Sequence, residues 1–127
     1  MTYYIAKTVF GTFDDVIARV TEALNNNGFG VLTDIDVAAT MKKKLDVDFR
    51  PYRILGACNP QMAYQALSIE DKIGVMLPCN VIVQQTDEGV EVAAVDPIAS
   101  IGRVGNPALD EAAQTVRAML EKVIEAV

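Results

Sequence analysis

The sequence predicts one α+β domain, and three observations point there. Runs rich in β-branched and aromatic residues at 2–10, 30–35, 52–57 and 80–95 read as strands. Apolar residues recurring at helical spacing over 13–24 and 109–127 read as two long amphipathic helices. Asp87-Glu88-Gly89, set between two apolar runs, reads as a hairpin loop and makes that strand pair antiparallel. A chain of 127 residues suffices for one core, and no linker divides it.

In chain order, the first strand runs from Thr2 to Phe10. Thr12 is placed to cap a helix whose inner stripe is Phe13, Val16, Ile17, Val20 and Leu24, and Asn25-Asn26-Asn27-Gly28 stops it. Gly30 to Ile35 is a second strand. Asp36 is placed to cap a short helix with Val37, Met41 and Leu45 inward and Lys42-Lys43-Lys44 outward. Pre-proline Arg50 favours an extended backbone leading into the strand Tyr52 to Ala57. Asn59 as cap and Pro60 at the first helical position start a helix that runs to about Leu67. Ile73 to Leu77 and Asn80 to Thr86 read as strands kinked at Pro78, and the hairpin returns through Val90 to Val95.

With Gly89 as the third loop residue, Thr86 faces Val90, Val83 faces Ala93 and Val81 faces Val95. Both hairpin faces are then substantially apolar, and a sheet covered by helices on one side exposes one of them. A partner subunit or a ligand is expected to cover it. After Asp96-Pro97, the loop Gly102 to Pro107 leads into the last helix, whose stripe includes Leu109, Val116, Leu120 and Ile124.

Composition narrows the function. A net charge of −6 argues against nucleic acid or an anionic membrane as partner. No apolar run approaches the roughly 20 residues of a membrane helix, and the start of the chain lacks the pattern of an export signal. A cytoplasmic protein is expected, in which the two cysteines are free thiols. Histidine is absent, which excludes His-based triads and zinc sites. The hydrophobic content of 51% is more than a small domain needs and fits burial against a second subunit.

The distinctive stretch is Tyr52 to Val83, which holds both cysteines. Cys58 precedes the Asn59-Pro60 helix start, where unpaired N–H groups and the helix dipole favour a thiolate over a thiol. Cys79 and Asn80 follow Pro78. If the two strands are neighbours, Cys58 and Cys79 form a thiol site with Asn59 and Asn80 as donors and Met62 or Met76 as soft neighbours. Such a site suits a small ligand, a soft metal, a sulfur species or a reversible disulfide. Two thiolates suit monovalent copper but fall two ligands short of a closed zinc site. The bland alternative is a pair of small buried hydrophobes at strand ends.

Arg53-Ile54-Leu55-Gly56-Ala57-Cys58-Asn59-Pro60, Leu77-Pro78-Cys79-Asn80-Val81 and Val95-Asp96-Pro97 resemble the domain-of-unknown-function family numbered 302, over essentially the whole chain. The resemblance implies an α+β fold of β-α-β(4)-α type, similar to the TATA-binding-protein-like class, with helices on one sheet face and a tendency to form homodimers. It carries no activity, substrate or cofactor. The helix at 37–45 departs from that simple core.

Weaker constellations have simpler readings. Arg103 and the amides of Gly102 to Pro107 offer an anion contact, but match no phosphate-loop fingerprint. Asp34 with Asp36, and Asp46 with Asp48, are better explained as caps and turns than as hard-cation ligands. The sequence therefore proposes a homodimeric domain that binds a small ligand or soft species near Cys58 and Cys79. A cysteine-dependent redox or thiol-transfer enzyme and a purely structural interaction domain stand as alternatives, and no cofactor is specified.

Overall fold

A computed structural model describes residues 2–127. The elements are β1 (Tyr4–Val9), α1 (Phe13–Asn26), β2 (Gly30–Asp36), α2 (Val37–Leu45), β3 (Tyr52–Cys58), α3 (Pro60–Ile69), β4 (Cys79–Thr86), β5 (Gly89–Val95), the one-turn α4 (Pro97–Ser100) and α5 (Asp110–Ala126). Short 3₁₀ turns cover Asp71–Met76, Ile101–Val104 and Pro107–Leu109. With α2, α3 and α4 set aside as insertions, the order is strand, helix, four strands, helix.

The helix starts follow from side-chain chemistry. Thr12 accepts a hydrogen bond from the Asp15 N–H at 3.1 Å, Asp36 from Ala39 at 2.9 Å and Asn59 from Met62 at 3.0 Å. At the far end of α5, Lys7 on β1 donates to the carbonyls of Glu125 and Val127 at 3.1 and 2.9 Å. A cation there satisfies acceptors that the helix itself leaves unpaired.

The five strands form one antiparallel sheet in the order β1-β5-β4-β3-β2. The hairpin register differs from the expected one by one residue. Thr86 pairs with Gly89, not Val90, so the loop is Asp87-Glu88 and Val83 meets Val92 while Val81 meets Ala94. The reason is hydrophobic: this register gathers Val81, Val83, Val90, Val92 and Ala94 on one fully buried face, whereas the expected one divides them between two faces. The Thr86 hydroxyl fixes the tight turn, accepting from the Glu88 N–H and donating to the Gly89 carbonyl.

That buried face packs against α1 through Val16, Val20 and Leu24, and against α5 through Val116, Leu120 and Val123. A second cluster of Ala66, Ile73, Ile101, Leu109 and Ala113, with Leu77 against it, ties α3 and the 3₁₀ turns to α5. Ile73 to Leu77 is therefore not a strand. Its residues turn helically, so that Ile73 is buried and Val75 is 84% exposed, and a short apolar run does not by itself distinguish the two conformations.

The opposite sheet face is less apolar than the expected register made it. Ile82, Ala93 and Val95 alternate there with Asn80, Gln84 and Glu91, and Tyr3, Tyr4 and Tyr52 rim the open concavity they form.

Candidate functional site

β3 ends at Cys58 because Asn59 and Pro60 turn the chain directly into α3. β4 begins at Cys79, where Pro78 has ended the preceding connection. The register pairs Cys79 with Ala57, so the two cysteines stand on adjacent strands, one residue out of step, at the same sheet end. Both line a cavity of about 310 Å³.

The cavity occupies the seam between the two hydrophobic clusters. Met62, Ala63 and Ala66 of α3 form one wall, Ala112 and Val116 of α5 another, and Leu77, Pro78 and Ile101 close the far side. Leu32 and Leu67, 68% and 45% exposed, stand at its edge. Leu32 reaches it because β2 shifts register between Val31 and Thr33. Apart from the two thiols, Asn59 is the only polar side chain in the lining among the described residues, and its Oδ1 is already engaged as the α3 cap.

The two sulfurs have different environments. Cys58 is half-buried, while Cys79 is only 7% exposed. Burial, and secondarily the neighbouring Cys58, pushes the Cys79 thiol up from 9.0 to about 11, so it is a neutral thiol at neutral pH. Desolvation thus opposes charge on Cys79. Among the described residues, no group of three or more His, Cys, Asp or Glu side chains is placed to hold a metal ion.

Several expected neighbours are elsewhere. Asn80 is exposed on the open sheet face and lines that concavity instead, because alternation along β4 turns it away from Cys79. Met76 lies in the 3₁₀ turn and does not line the cavity, whereas Met62 does. Arg103 is exposed on the turn whose Ile101 faces the cavity. Asp34 is engaged by Arg53, Asp36 caps α2, and Asp46 and Asp48 pair with Lys42 at the surface. Among the lining residues that local sequence patterns missed are Ile101, Ala112 and Val116, which follow both cysteines by more than 20 positions and are brought in by the packing of the last turns and α5. Ala112 and Val116 carried one advance signal, membership of an apolar helical stripe, which marks burial and not a cavity, and Ile101 carried none.

No curated protein matches the sequence. Among solved structures, the crystal structure of the uncharacterized conserved protein DUF302 from Bacillus stearothermophilus is similar, with 29% identity and a TM-score of 0.92 over 99% of this chain and 98% of that one. The family model described as domain of unknown function DUF302 matches residues 5–127, and the chain belongs to that family.

Proposed function

We propose that the domain binds a small, neutral, predominantly apolar molecule in the cavity beside Cys58 and Cys79. The observation that carries this reading is the lining itself: a space of about 310 Å³ in which Asn59 and two thiols are the only polar side chains. At about 30 Å³ per water-sized group, that is room for roughly ten non-hydrogen atoms. Apolar lining with few polar groups is how small-molecule sites gain affinity while fixing orientation. A soft metal is less favoured, because among the described residues no third His, Cys, Asp or Glu side chain is grouped with the two thiols, although Met62 supplies a further soft atom.

The open sheet face supports a homodimer as the working unit. Ile82, Ala93 and Val95 with the tyrosines at 3, 4 and 52 offer the apolar centre of a self-complementary patch, with polar groups around it. Two free thiols and a net charge of −6 fit a reducing, cytoplasmic setting without nucleic acid or membrane. Among the described residues, no helix is long and apolar enough to cross a membrane.

1-Nonanol tests the binding reading. It is expected to raise the melting temperature in a saturable way, and Ala63→Phe, which fills the cavity from α3, is expected to abolish the rise. No stabilisation of the unmodified protein, or an equal rise in Ala63→Phe, overturns it.

A further inference from the structure

We propose that Cys58 and Cys79 form a site for reversible covalent capture of neutral α,β-unsaturated carbonyl compounds with an apolar tail, Cys58 attacking and the Cys79 S–H donating a hydrogen bond to the carbonyl oxygen. This rests on the cavity reading above and names the chemical class the cavity takes.

Two independent features support the division of labour. Cys58 is the accessible thiol, half-buried at the end of β3, while Cys79 is sealed to 7% exposure and lines the same cavity. An S–H buried beside an apolar space has no water to accept from it there, and a ligand carbonyl supplies an acceptor.

Burial also works against the Cys79 thiolate that closing a disulfide onto Cys58 would need. Addition to an activated alkene needs only one nucleophilic sulfur and no oxidant.

The step balances without a co-reactant. The Cys58 sulfur forms a bond to the β-carbon, the alkene π pair moves through the α-carbon to the carbonyl oxygen as an enolate, and Cys79 stabilises that oxygen by hydrogen bonding. The proton that left Cys58 reaches the α-carbon through solvent. Nothing is oxidised or reduced, and the reverse sequence frees the ligand.

The test compares trans-2-nonenal with trans-2-butenal, which share a reactive group and differ in tail, by intact mass and peptide mapping of the native protein. The long-to-short rate ratio is expected to exceed that of N-acetylcysteine at least tenfold, with the adduct on Cys58. Cys79→Ala is expected to slow adduct formation at least fivefold, and Cys79→Ser, which keeps a donor, to recover most of it. A ratio equal to that of the free thiol, an adduct mapping first to Cys79, or an unchanged rate in Cys79→Ala overturns the proposal. Stabilisation by 1-nonanol, measured on every variant, reports folding and the cavity separately. If it persists while nonenal shows no tail preference, covalent capture is refuted and the binding reading stands; if it too is absent, both fall.

Discussion

A Cβ built on Gly56 would lie 2.1 Å from Thr33 Oγ1 across the β2–β3 pair, and 2.7 Å from Pro78 Cγ on the other side. Gly56 is thus the point at which β3 passes between two neighbours too close for any side chain. Gly56→Ala is expected to push the Thr33 side of β2 and the Pro78 connection apart. Over-packing of this kind costs about 1–3 kcal/mol, which chemical denaturation would register as a lower midpoint at unchanged slope. Because Leu32 and Pro78 both line the cavity, the same variant is expected to weaken stabilisation by 1-nonanol.

Leucines at two burial extremes separate the roles of the helices. Leu120 on α5 is fully buried against the sheet, and Leu120→Ala is expected to cost about 2–5 kcal/mol. Leu45 on α2 is 65% exposed, on a helix with no buried residue, and Leu45→Ala is expected to stay within about 0.5 kcal/mol. Equal losses from the two variants would mean that α2 is covered in solution, as a subunit interface there would require.

What could be read in advance follows the range of the forces involved. Thr12, Asp36 and Asn59 were legible as caps because a short polar side chain and an N–H two or three residues on settle the matter locally. The hairpin loop was not, since Asp87-Glu88-Gly89 allows two lengths and the choice is made by where Val90 and Val92 bury. Ile73 to Leu77 has the composition of a strand, but Ile73 is claimed by the second cluster. At the site, the sequence could place Cys58 and Cys79 on neighbouring strands only conditionally, and the β3–β4 register sets them at the same sheet end. The cavity was not legible at all, because Ile101 and α5 supply part of its lining, and a void is a property of packing that no local pattern records.

Asp96 joins three elements. Its backbone N–H donates to the Tyr3 carbonyl at 2.8 Å, its Oδ1 accepts from Ile98 at 2.9 Å to cap α4, and its Oδ2 accepts from Arg117 Nε at 3.1 Å. Asp96→Ala is expected to cost about 1 kcal/mol through the lost cap, with a further loss from α5 anchoring. Asp96→Asn keeps the cap acceptor and removes the charge. It is expected to recover part of the loss in thermal unfolding, and no difference between the two variants would remove the capping role.

Arg53 donates to both carboxylate oxygens of Asp34, through Nε to Oδ1 at 2.7 Å and through a second guanidinium nitrogen to Oδ2. The Arg53 hydrogen bond, with its charge acting after it, holds the Asp34 carboxyl below its ordinary 3.8. A carboxyl lowered in the folded state stabilises fully above its unfolded value, and that contribution disappears as pH falls through the folded one. The expected window is therefore below about pH 4. Both side chains are partly exposed, so the contribution is at most about 1 kcal/mol. Unfolding midpoints at pH 7 and pH 2.5 are expected to converge in Asp34→Asn relative to the unmodified protein.

Alkaline pH isolates the buried thiol. The folded state holds Cys79 protonated up to about 11 against an ordinary 9.0, because ionisation would place a charge in an apolar wall. A raised value means that the folded state is favoured in full below pH 9, and that this advantage is surrendered as pH climbs through about 11, as the thiolate forms first in the unfolded chain. Two units correspond to roughly 3 kcal/mol at the top of that range. Cys79→Ala does not titrate there, so its stability measured by urea at pH 7.5 and pH 10.5 is expected to fall less than that of the unmodified protein, with the common loss from tyrosines and lysines cancelling in the comparison. Cys58→Ala provides the contrast, since it leaves the buried thiol in place and is expected to retain most of the alkaline slope. Identical slopes in the unmodified protein and Cys79→Ala would mean that water reaches Cys79, and would place the thiol at the cavity mouth instead of in its wall.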